Sequence, residues 1–123
     1  MSGTVKLCTM DELPERGARG FDPGQQGRDT VFVVRREGSV YAYRDICPHL
    51  GNTTLPWRKD AYLDGKGETI VCAAHGAHFE ITTGLCTSGP CLGESLVRVP
   101  LWVSEDGEVL ATLEANNNRD ENP

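Results

Sequence analysis

The sequence lacks the features that mark several large classes of protein. Aromatic residues make up only 7% of the chain, and no apolar run is longer than a few residues. Nothing therefore resembles a signal peptide or a membrane span. Basic residues are also few: 12 Lys and Arg stand against 18 Asp and Glu, a formal net charge of -6. Because nucleic-acid binding needs a basic surface, we expect no nucleic-acid partner. Because no segment resembles a signal peptide or a membrane span, we expect a cytoplasmic protein with no membrane partner.

The motifs of common catalytic sites are missing as well. The sequence has no phosphate-binding loop, no dinucleotide fingerprint and no nucleophile elbow. These three absences argue against nucleotide-dependent catalysis and against a serine hydrolase. What the chain does have is a set of short strand-like segments and a cluster of cysteine and histidine residues.

Seven segments have the composition of β-strands. They are rich in β-branched and aromatic residues and are separated by turn-forming residues, a pattern typical of antiparallel strands. The segments lie at 5–8, 31–34, 40–43, 69–71, 77–81, 96–99 and 108–113. The pair at 31–34 and 40–43 flanks a glycine-containing turn, which predicts a β-hairpin. No segment sustains a helical period, so the expected fold class is all-β.

The remaining segments set the expected domain organisation. Thr9 and Glu12 have capping-box spacing, which predicts a single helical turn. A Gly-, Pro- and Gln-rich stretch at 17–29 is expected to be a loop. The length of 123 residues suits one domain. We place that domain at 1–115 and expect the polar segment 116–123 to be a disordered tail.

Cysteine and histidine are scarce but clustered. All three histidines lie between positions 49 and 78, and four of the five cysteines lie between positions 47 and 91. Two short motifs stand out, Cys47-Pro48-His49 and Cys72-Ala73-Ala74-His75, separated by residues 50–71. Each offers one thiolate and one imidazole from a loop that is expected to join two strands. In a chain expected to be cytoplasmic, this pairing favours a metal site over disulfide bonds.

The ligand types narrow the choice of metal. Two thiolates and two imidazoles suit either a zinc ion or an iron–sulfur cluster with mixed ligands. Structural zinc sites more often group two cysteines in one motif and two histidines in the other. Mixed motifs suit a pair of metal ions, because each loop can give its cysteine to one ion and its histidine to the other. A zinc-bound interaction module without a redox role is the alternative.

The two motifs and their flanks resemble one known family. Cys47-Pro48-His49-Leu50-Gly51 and Cys72-Ala73-Ala74-His75-Gly76 resemble the two cluster-binding boxes of the Rieske [2Fe-2S] family. Phe79-Glu80 followed by Thr83-Gly84 is similar to the strand and turn after the second box, and Gly89-Pro90 to the proline loop that covers the cluster. The resemblance extends over 31–113 and is to soluble bacterial Rieske-type ferredoxins.

The resemblance implies a fold, a cofactor and a set of ligands. The fold is a Rieske-like antiparallel β-sandwich with a loop-rich cluster-binding subdomain at about 46–92, and the cofactor is one [2Fe-2S] cluster. Cys47 and Cys72 are then expected to bind one iron, and His49 and His75 the other. Further positions expected beside the cluster are Leu50, Gly51, Gly76, Ala77 and Pro90.

The resemblance also implies a function. The implied function is that of a monomeric ferredoxin, which is an electron-transfer protein rather than an enzyme. Such a protein carries one electron at a time from a flavin-dependent reductase to an oxygenase or similar terminal enzyme. The alternative is a small Rieske subunit that is permanently bound in a larger reductase or oxygenase complex.

Two further expectations concern redox chemistry. Ala77 and Phe79 stand where high-potential members of the family have hydroxyl-bearing Ser and Tyr. This implies a reduction potential near the low end of the family range of roughly -150 to +300 mV. Cys86 and Cys91 flank the proline loop, and we expect reduced thiols there because the cytosol is reducing. A disulfide between them is the alternative.

Overall fold

The regular secondary structure of the described residues is almost entirely β-strand. A computed structural model describes residues 2–46, 55–56, 59–73 and 76–114. These residues form one 3-10 turn, Met10–Glu12, which confirms the helical turn expected after Thr9. The strands are β1 (Ser2–Thr9), β2 (Gly17–Phe21), β3 (Val31–Arg36), β4 (Ser39–Arg44), β5 (Thr69–Cys72), β6 (Ala77–Glu80), β7 (Cys86–Ser88), β8 (Leu101–Val103) and β9 (Glu108–Glu114).

The strands form three antiparallel sheets of three strands each. The terminal sheet has the order β1-β9-β8, the middle sheet β2-β3-β4 and the box sheet β5-β6-β7. All pairings within these sheets are antiparallel, which confirms the expected all-β antiparallel class. Within the ranges described, no helix is long and apolar enough to cross a membrane. The expected tail at 116–123 lies outside those ranges.

Strand β3, at the centre of the middle sheet, is buried on both faces. The first four residues of β3 are 0–2% exposed. Because successive side chains of a strand point to opposite faces, they contribute to two different cores. Phe32 and Val34 belong to the box-side core, which also contains residues of the box sheet. Val31 and Val33 belong to the terminal-side core, which also contains Cys8 of the terminal sheet.

A tight hairpin joins β3 and β4. Its last strand pair is Arg36↔Ser39, so only Glu37 and Gly38 form the turn. Both turn residues have positive φ values, 53° and 80°, as in the type I′ turns that fit the twist of paired strands. The hairpin expected at 31–34 and 40–43 is therefore confirmed.

Strand β2 lies inside the stretch that the sequence suggested was a loop. It pairs with β3 from Gly17↔Arg35 to Phe21↔Val31. At Gly20, a Cβ atom would lie 2.4 Å from an Asp29 carboxylate oxygen. The glycine is thus needed because a side chain packs directly on the strand, and the expected loop at 17–29 is wrong for its first five residues.

The strand expected at 96–99 is also wrong. This segment runs beside β4 through only two backbone bonds, Arg44 N–H to the Val97 carbonyl at 2.8 Å and Val99 N–H to the Ala42 carbonyl at 2.9 Å. Pro100 then interrupts the pairing because it has no N–H to donate. The chain crosses to the terminal sheet and continues as β8, a strand that the sequence pattern did not reveal.

Candidate metal centre

The structure describes one of the four expected ligands. Cys72 is the last residue of β5 and is fully buried. Cys47, His49 and His75, together with Leu50 and Gly51, lie outside the described residues. Across the described ranges, no three His, Cys, Asp or Glu side chains gather at a common point that could hold a metal ion. The site is therefore described from Cys72 and from the segments that lead into the two boxes.

The second box spans the connection from β5 to β6. Cys72 of β5 pairs with Ala77 of β6, so the box closes the β5–β6 hairpin. The Gly76 N–H donates to the Cys72 carbonyl at 2.7 Å, and Gly76 has a φ of +71°. Glycine adopts this left-handed conformation without strain, which is why it suits the last position of the box.

The proline loop packs tightly on the start of β6. At Gly89, a Cβ atom would lie 2.7 Å from the Cα of Ala77, and the φ of Gly89 is +104°. Only a residue without a side chain permits this close approach of two backbones. Pro90 itself is exposed at the surface of the loop. Two of the expected cluster neighbours, Ala77 and Pro90, are therefore in adjacent segments.

Cys86 and Cys91 lie beneath that loop. Both are at most 2% exposed, and their sulfur atoms are 3.3 Å apart, with the Cys91 thiol donating to Cys86. The Cys86 thiol in turn donates to the Ser88 carbonyl at 3.3 Å. The pair thus forms a contact between two thiols, one at the start of β7 and one directly after Pro90.

The segment that leads into the first box contains a buried carboxylate. Asp45, two residues before Cys47, is 1% exposed and is the one buried polar or charged side chain found in the part of the chain described. Its Oδ1 accepts the Leu55 N–H at 2.8 Å, and its Oδ2 accepts the Tyr62 hydroxyl at 2.7 Å. Its own N–H donates to the Thr30 carbonyl at 3.0 Å.

Burial dominates the acid–base behaviour of this pair. Removal from water raises the pKa of Asp45, and the Leu55 and Tyr62 donors act in the opposite direction with less effect. Burial, and next the Asp45 carboxylate, raise the pKa of Tyr62 far above its ordinary value. The Tyr62 hydroxyl therefore stays protonated and acts as a hydrogen-bond donor.

His78 is the remaining histidine outside the boxes. It lies on β6, is half-buried, and its Nδ1 is 2.8 Å from the Thr69 hydroxyl on the neighbouring strand. That bond engages one ring nitrogen within the box sheet. The contact makes His78 part of the packing between β5 and β6.

The described part of the site fits an iron–sulfur cluster. It supplies a buried thiol at a strand end, a glycine that completes the box turn, and a loop held close over β6 by Gly89. Cluster sulfurs are commonly approached by backbone N–H groups in confined spaces of this kind.

One comparison decides the family. A family model described as the Rieske [2Fe-2S] domain matches residues 3–114 of the chain. The chain belongs to the Rieske [2Fe-2S] family. As a Rieske domain it binds a [2Fe-2S] cluster, and it serves electron transfer rather than acting as a catalytic enzyme. The cofactor and the family expected from the two boxes are thereby confirmed.

Several Rieske ferredoxins are similar in sequence. "Ferredoxin CarAc" of Metapseudomonas resinovorans is 31% identical over 109 residues, which cover 85% of this chain and 89% of that protein. The "Alkene monooxygenase system, ferredoxin component" of Xanthobacter autotrophicus is 29% identical over 112 residues, which cover 89% of this chain and 81% of that protein.

Solved Rieske structures share the fold. A ferredoxin of Sphingomonas yanoikuyae B1 has a TM-score of 0.68 at 27% identity, covering 90% of this chain and 99% of that one. A complex of reduced oxygenase and oxidized ferredoxin in carbazole 1,9a-dioxygenase contains a chain with a TM-score of 0.68 at 30% identity. That match covers 88% of this chain and 91% of the other. The Rieske-like fold implied by the sequence is confirmed.

Proposed function

We propose that this Rieske protein is a ferredoxin that takes single electrons from a flavin-dependent reductase and delivers them to an oxygenase or similar terminal enzyme. The observation that carries the proposal is the similarity to ferredoxin components of oxygenase systems along most of the length of both chains. The net charge of -6 supports it, because a negatively charged protein is attracted to a partner that has a basic docking patch.

We further propose the ligand set of the cluster. Cys47 and Cys72 bind one iron, and His49 and His75 bind the other. When bound, the cluster accepts and releases one electron at a time. The protein's own contribution is to bury Cys72, to close the second box with Gly76, and to cover the site with the loop at Gly89.

The experiment that tests the ligand set compares two histidines. We expect His75→Ala to prevent stable incorporation of the cluster, because one iron loses a ligand. The matched control is His78→Ala, three residues away, which removes the contact with Thr69 and leaves the cluster in place. Iron, acid-labile sulfide and the electron paramagnetic resonance (EPR) spectrum of the reduced protein are measured for each. A full cluster content in the His75→Ala protein contradicts the assignment.

The reduction potential tests the direction of electron flow. Ala77 and Phe79 are both fully buried and neither can donate a hydrogen bond to a cluster sulfur through its side chain. We therefore propose a potential on the order of -150 mV, the low end of the family range, which suits a flavin-dependent donor. Voltammetry of the purified protein measures it, and a midpoint well above zero contradicts the proposal.

The assembly state distinguishes the two hypotheses for this protein, a free electron carrier and a permanently bound subunit of a larger complex. We propose a cytoplasmic monomer that meets its partners transiently. Size-exclusion chromatography with light scattering is expected to give the mass of one chain, 13.4 kDa by sequence. Co-purification with a reductase or oxygenase in fixed stoichiometry through high salt favours the subunit instead.

A further inference from the structure

We infer that Asp45 is a positioning residue that sets the distance between the two ligand loops of the cluster. The inference rests on the proposed ligand set, in which Cys47 belongs to one loop and Cys72 to the other. It is carried by a chain of hydrogen bonds that begins at Asp45 and ends on both sides of Cys72.

Asp45 is itself fixed in place. Its N–H is bound to the Thr30 carbonyl at 3.0 Å, and its side chain is 1% exposed with both oxygens engaged. A buried carboxylate with two partners at 2.7 and 2.8 Å has little freedom to rotate. The main chain two residues before Cys47 therefore has a defined position.

Leu55 carries the first connection to the second box. Its N–H donates to Oδ1 of Asp45 at 2.8 Å, and its carbonyl accepts the Ala73 N–H at 2.8 Å. Leu55 is fully buried, so water does not compete for either bond. One residue thus joins the entrance of the first box to the residue that follows Cys72.

Tyr62 carries the second connection. Its hydroxyl donates to Oδ2 of Asp45 at 2.7 Å, and its backbone carbonyl accepts the Val71 N–H at 2.8 Å. Its ring is stacked on Phe32 with 4.2 Å between ring centroids and 10° between planes. Val71 precedes Cys72, so the residues on both sides of the ligand are held by groups that Asp45 binds.

The buried carboxylate at position 45 is better explained by a positioning role than by a contribution to folding stability. Burying a charge costs free energy, and a pair of apolar side chains fills such a space without that cost. Buried polar networks instead select one arrangement of the chain, because any other arrangement leaves a donor or acceptor without a partner. The two oxygens of the Asp45 side chain accept the Leu55 N–H and the Tyr62 hydroxyl at once.

The test compares three variants of the full-length protein loaded with its cluster. Asp45→Ala removes both bonds, and Asp45→Asn keeps an oxygen for the Leu55 N–H. Val109→Ala is the control, because it opens space in the terminal-side core, which contains neither Asp45 nor its partners. We measure the half-life of cluster absorbance in the presence of an iron chelator, the EPR line widths of the reduced protein, and urea unfolding.

The variants are expected to separate positioning from general stability. Asp45→Ala should shorten the cluster half-life by about tenfold, the lower range for residues that support metal ligands. Its EPR lines should broaden, because the ligand loops adopt a spread of positions. Asp45→Asn should restore most of the half-life. Val109→Ala should lower the urea midpoint and leave the half-life and line widths at their wild-type values.

If Asp45→Ala folds poorly, hydrogen exchange in a milder variant still tests the inference. Tyr62→Phe removes one bond to Asp45 and retains the ring against Phe32. Hydrogen exchange followed by mass spectrometry should then show faster exchange in the peptide containing Val71 and Ala73, with no change in β9. Unchanged exchange there in Tyr62→Phe overturns the inference, as does a wild-type half-life in Asp45→Ala.

The outcomes also separate this inference from the proposed function. A wild-type protein that lacks the EPR spectrum of a Rieske cluster contradicts the ligand set, and with it the role of Asp45. A wild-type protein that has this spectrum, together with equal half-lives for Asp45→Ala and Val109→Ala, contradicts the inference alone.

Discussion

The two faces of the middle sheet are packed against cores of different character. The terminal-side core is made of aliphatic residues and Cys8, and its described members carry no hydroxyl or carboxylate. The box-side core contains Tyr43, Tyr62 and three cysteines, and the buried Asp45 carboxylate accepts the Tyr62 hydroxyl. One face therefore stabilises the fold by burying apolar surface. The box-side core also contains buried polar contacts, and these hold loops in place.

Tyr43 shows the same use of polar atoms at another loop. Its hydroxyl donates to the Ile81 carbonyl at 2.7 Å, which anchors the turn after β6. At Gly84 of that turn, a Cβ atom would lie 2.7 Å from the Tyr43 ring. The turn is thus fixed by a hydrogen bond and by close packing on one side chain. Substitutions on the two faces should consequently have different effects.

The largest effect is expected at Phe32, on the box-side face of β3. Phe32→Ala should lower the free energy of unfolding by about 4 kcal/mol, because it leaves a cavity in a fully buried core. It should also shorten the cluster half-life, since Tyr62 loses the ring on which it stacks. Urea unfolding and cluster absorbance measure the two effects. A destabilised protein that holds its cluster as long as the wild type contradicts the link between this core and the loops.

The next largest effect is expected in the proline loop. Gly89→Ala should cost about 3 kcal/mol, because φ is +104° and the new methyl group meets the Ala77 backbone. The loop must move away from β6, so the cluster should be lost faster. Gly93→Ala is the matched control: its φ is +91°, but no atom lies within 4 Å of the added Cβ. We expect faster cluster loss in Gly89→Ala and a wild-type rate in Gly93→Ala. Equally fast loss in both variants contradicts a specific role for the contact between Gly89 and Ala77.

Val33 is the neighbour of Phe32 on the opposite face of β3. Val33→Ala should cost about 2 kcal/mol, less than the aromatic substitution because fewer atoms are removed. Cluster half-life, EPR spectrum and reduction potential should remain those of the wild type. These three measurements, made beside a urea titration, test whether the terminal-side core acts on stability alone. A shifted potential in the Val33→Ala protein would break the comparison between the two faces.

The smallest effect is expected at Asp64, which closes the turn that enters β5. Partial burial raises its pKa, but the N–H groups of Glu68 and Thr69 outweigh this, and the net pKa lies below the usual value. A lowered pKa in the folded state stabilises the protein above the unfolded pKa of about 4, and the gain disappears as pH falls through the folded pKa. Asp64→Asn should therefore lower the urea midpoint at neutral pH and have little effect in strong acid. An equal deficit at both pH values contradicts this explanation.

The sequence predicted most of the strands that carry a strong pattern. Strands β3 and β4 are rich in β-branched and aromatic residues, β9 alternates apolar and polar residues over part of its length, and the positions of all three were predicted within one or two residues. Strand β2 was missed because Gly17 and Gly20 resemble loop residues. Their purpose becomes visible only when Pro14, Asp29 and Tyr62 are seen packed against them.

In the candidate site, too, some residues could be predicted from the sequence and others could not. The two boxes could be recognised because four metal-binding residues lie in two short motifs. Asp45 could not, because a lone aspartate in a sequence is most often an exposed one. Its role depends on Leu55 and Tyr62, which only the fold brings to it. Cys47, His49 and His75 lie outside the described residues, and their ligand roles stay predictions.

The terminal sheet joins the two ends of the described chain. Strand β1 pairs with β9 from Ser2↔Glu114 to Thr9↔Glu108. On a ribosome, β1 leaves the exit tunnel before β9, and the two strands cannot pair until β9 has been synthesised. During this interval the face of the middle sheet that bears Val33 and Ala42 is uncovered. Synthesis at about 5–20 residues per second leaves that apolar face open for several seconds, a time in which chaperones can bind it.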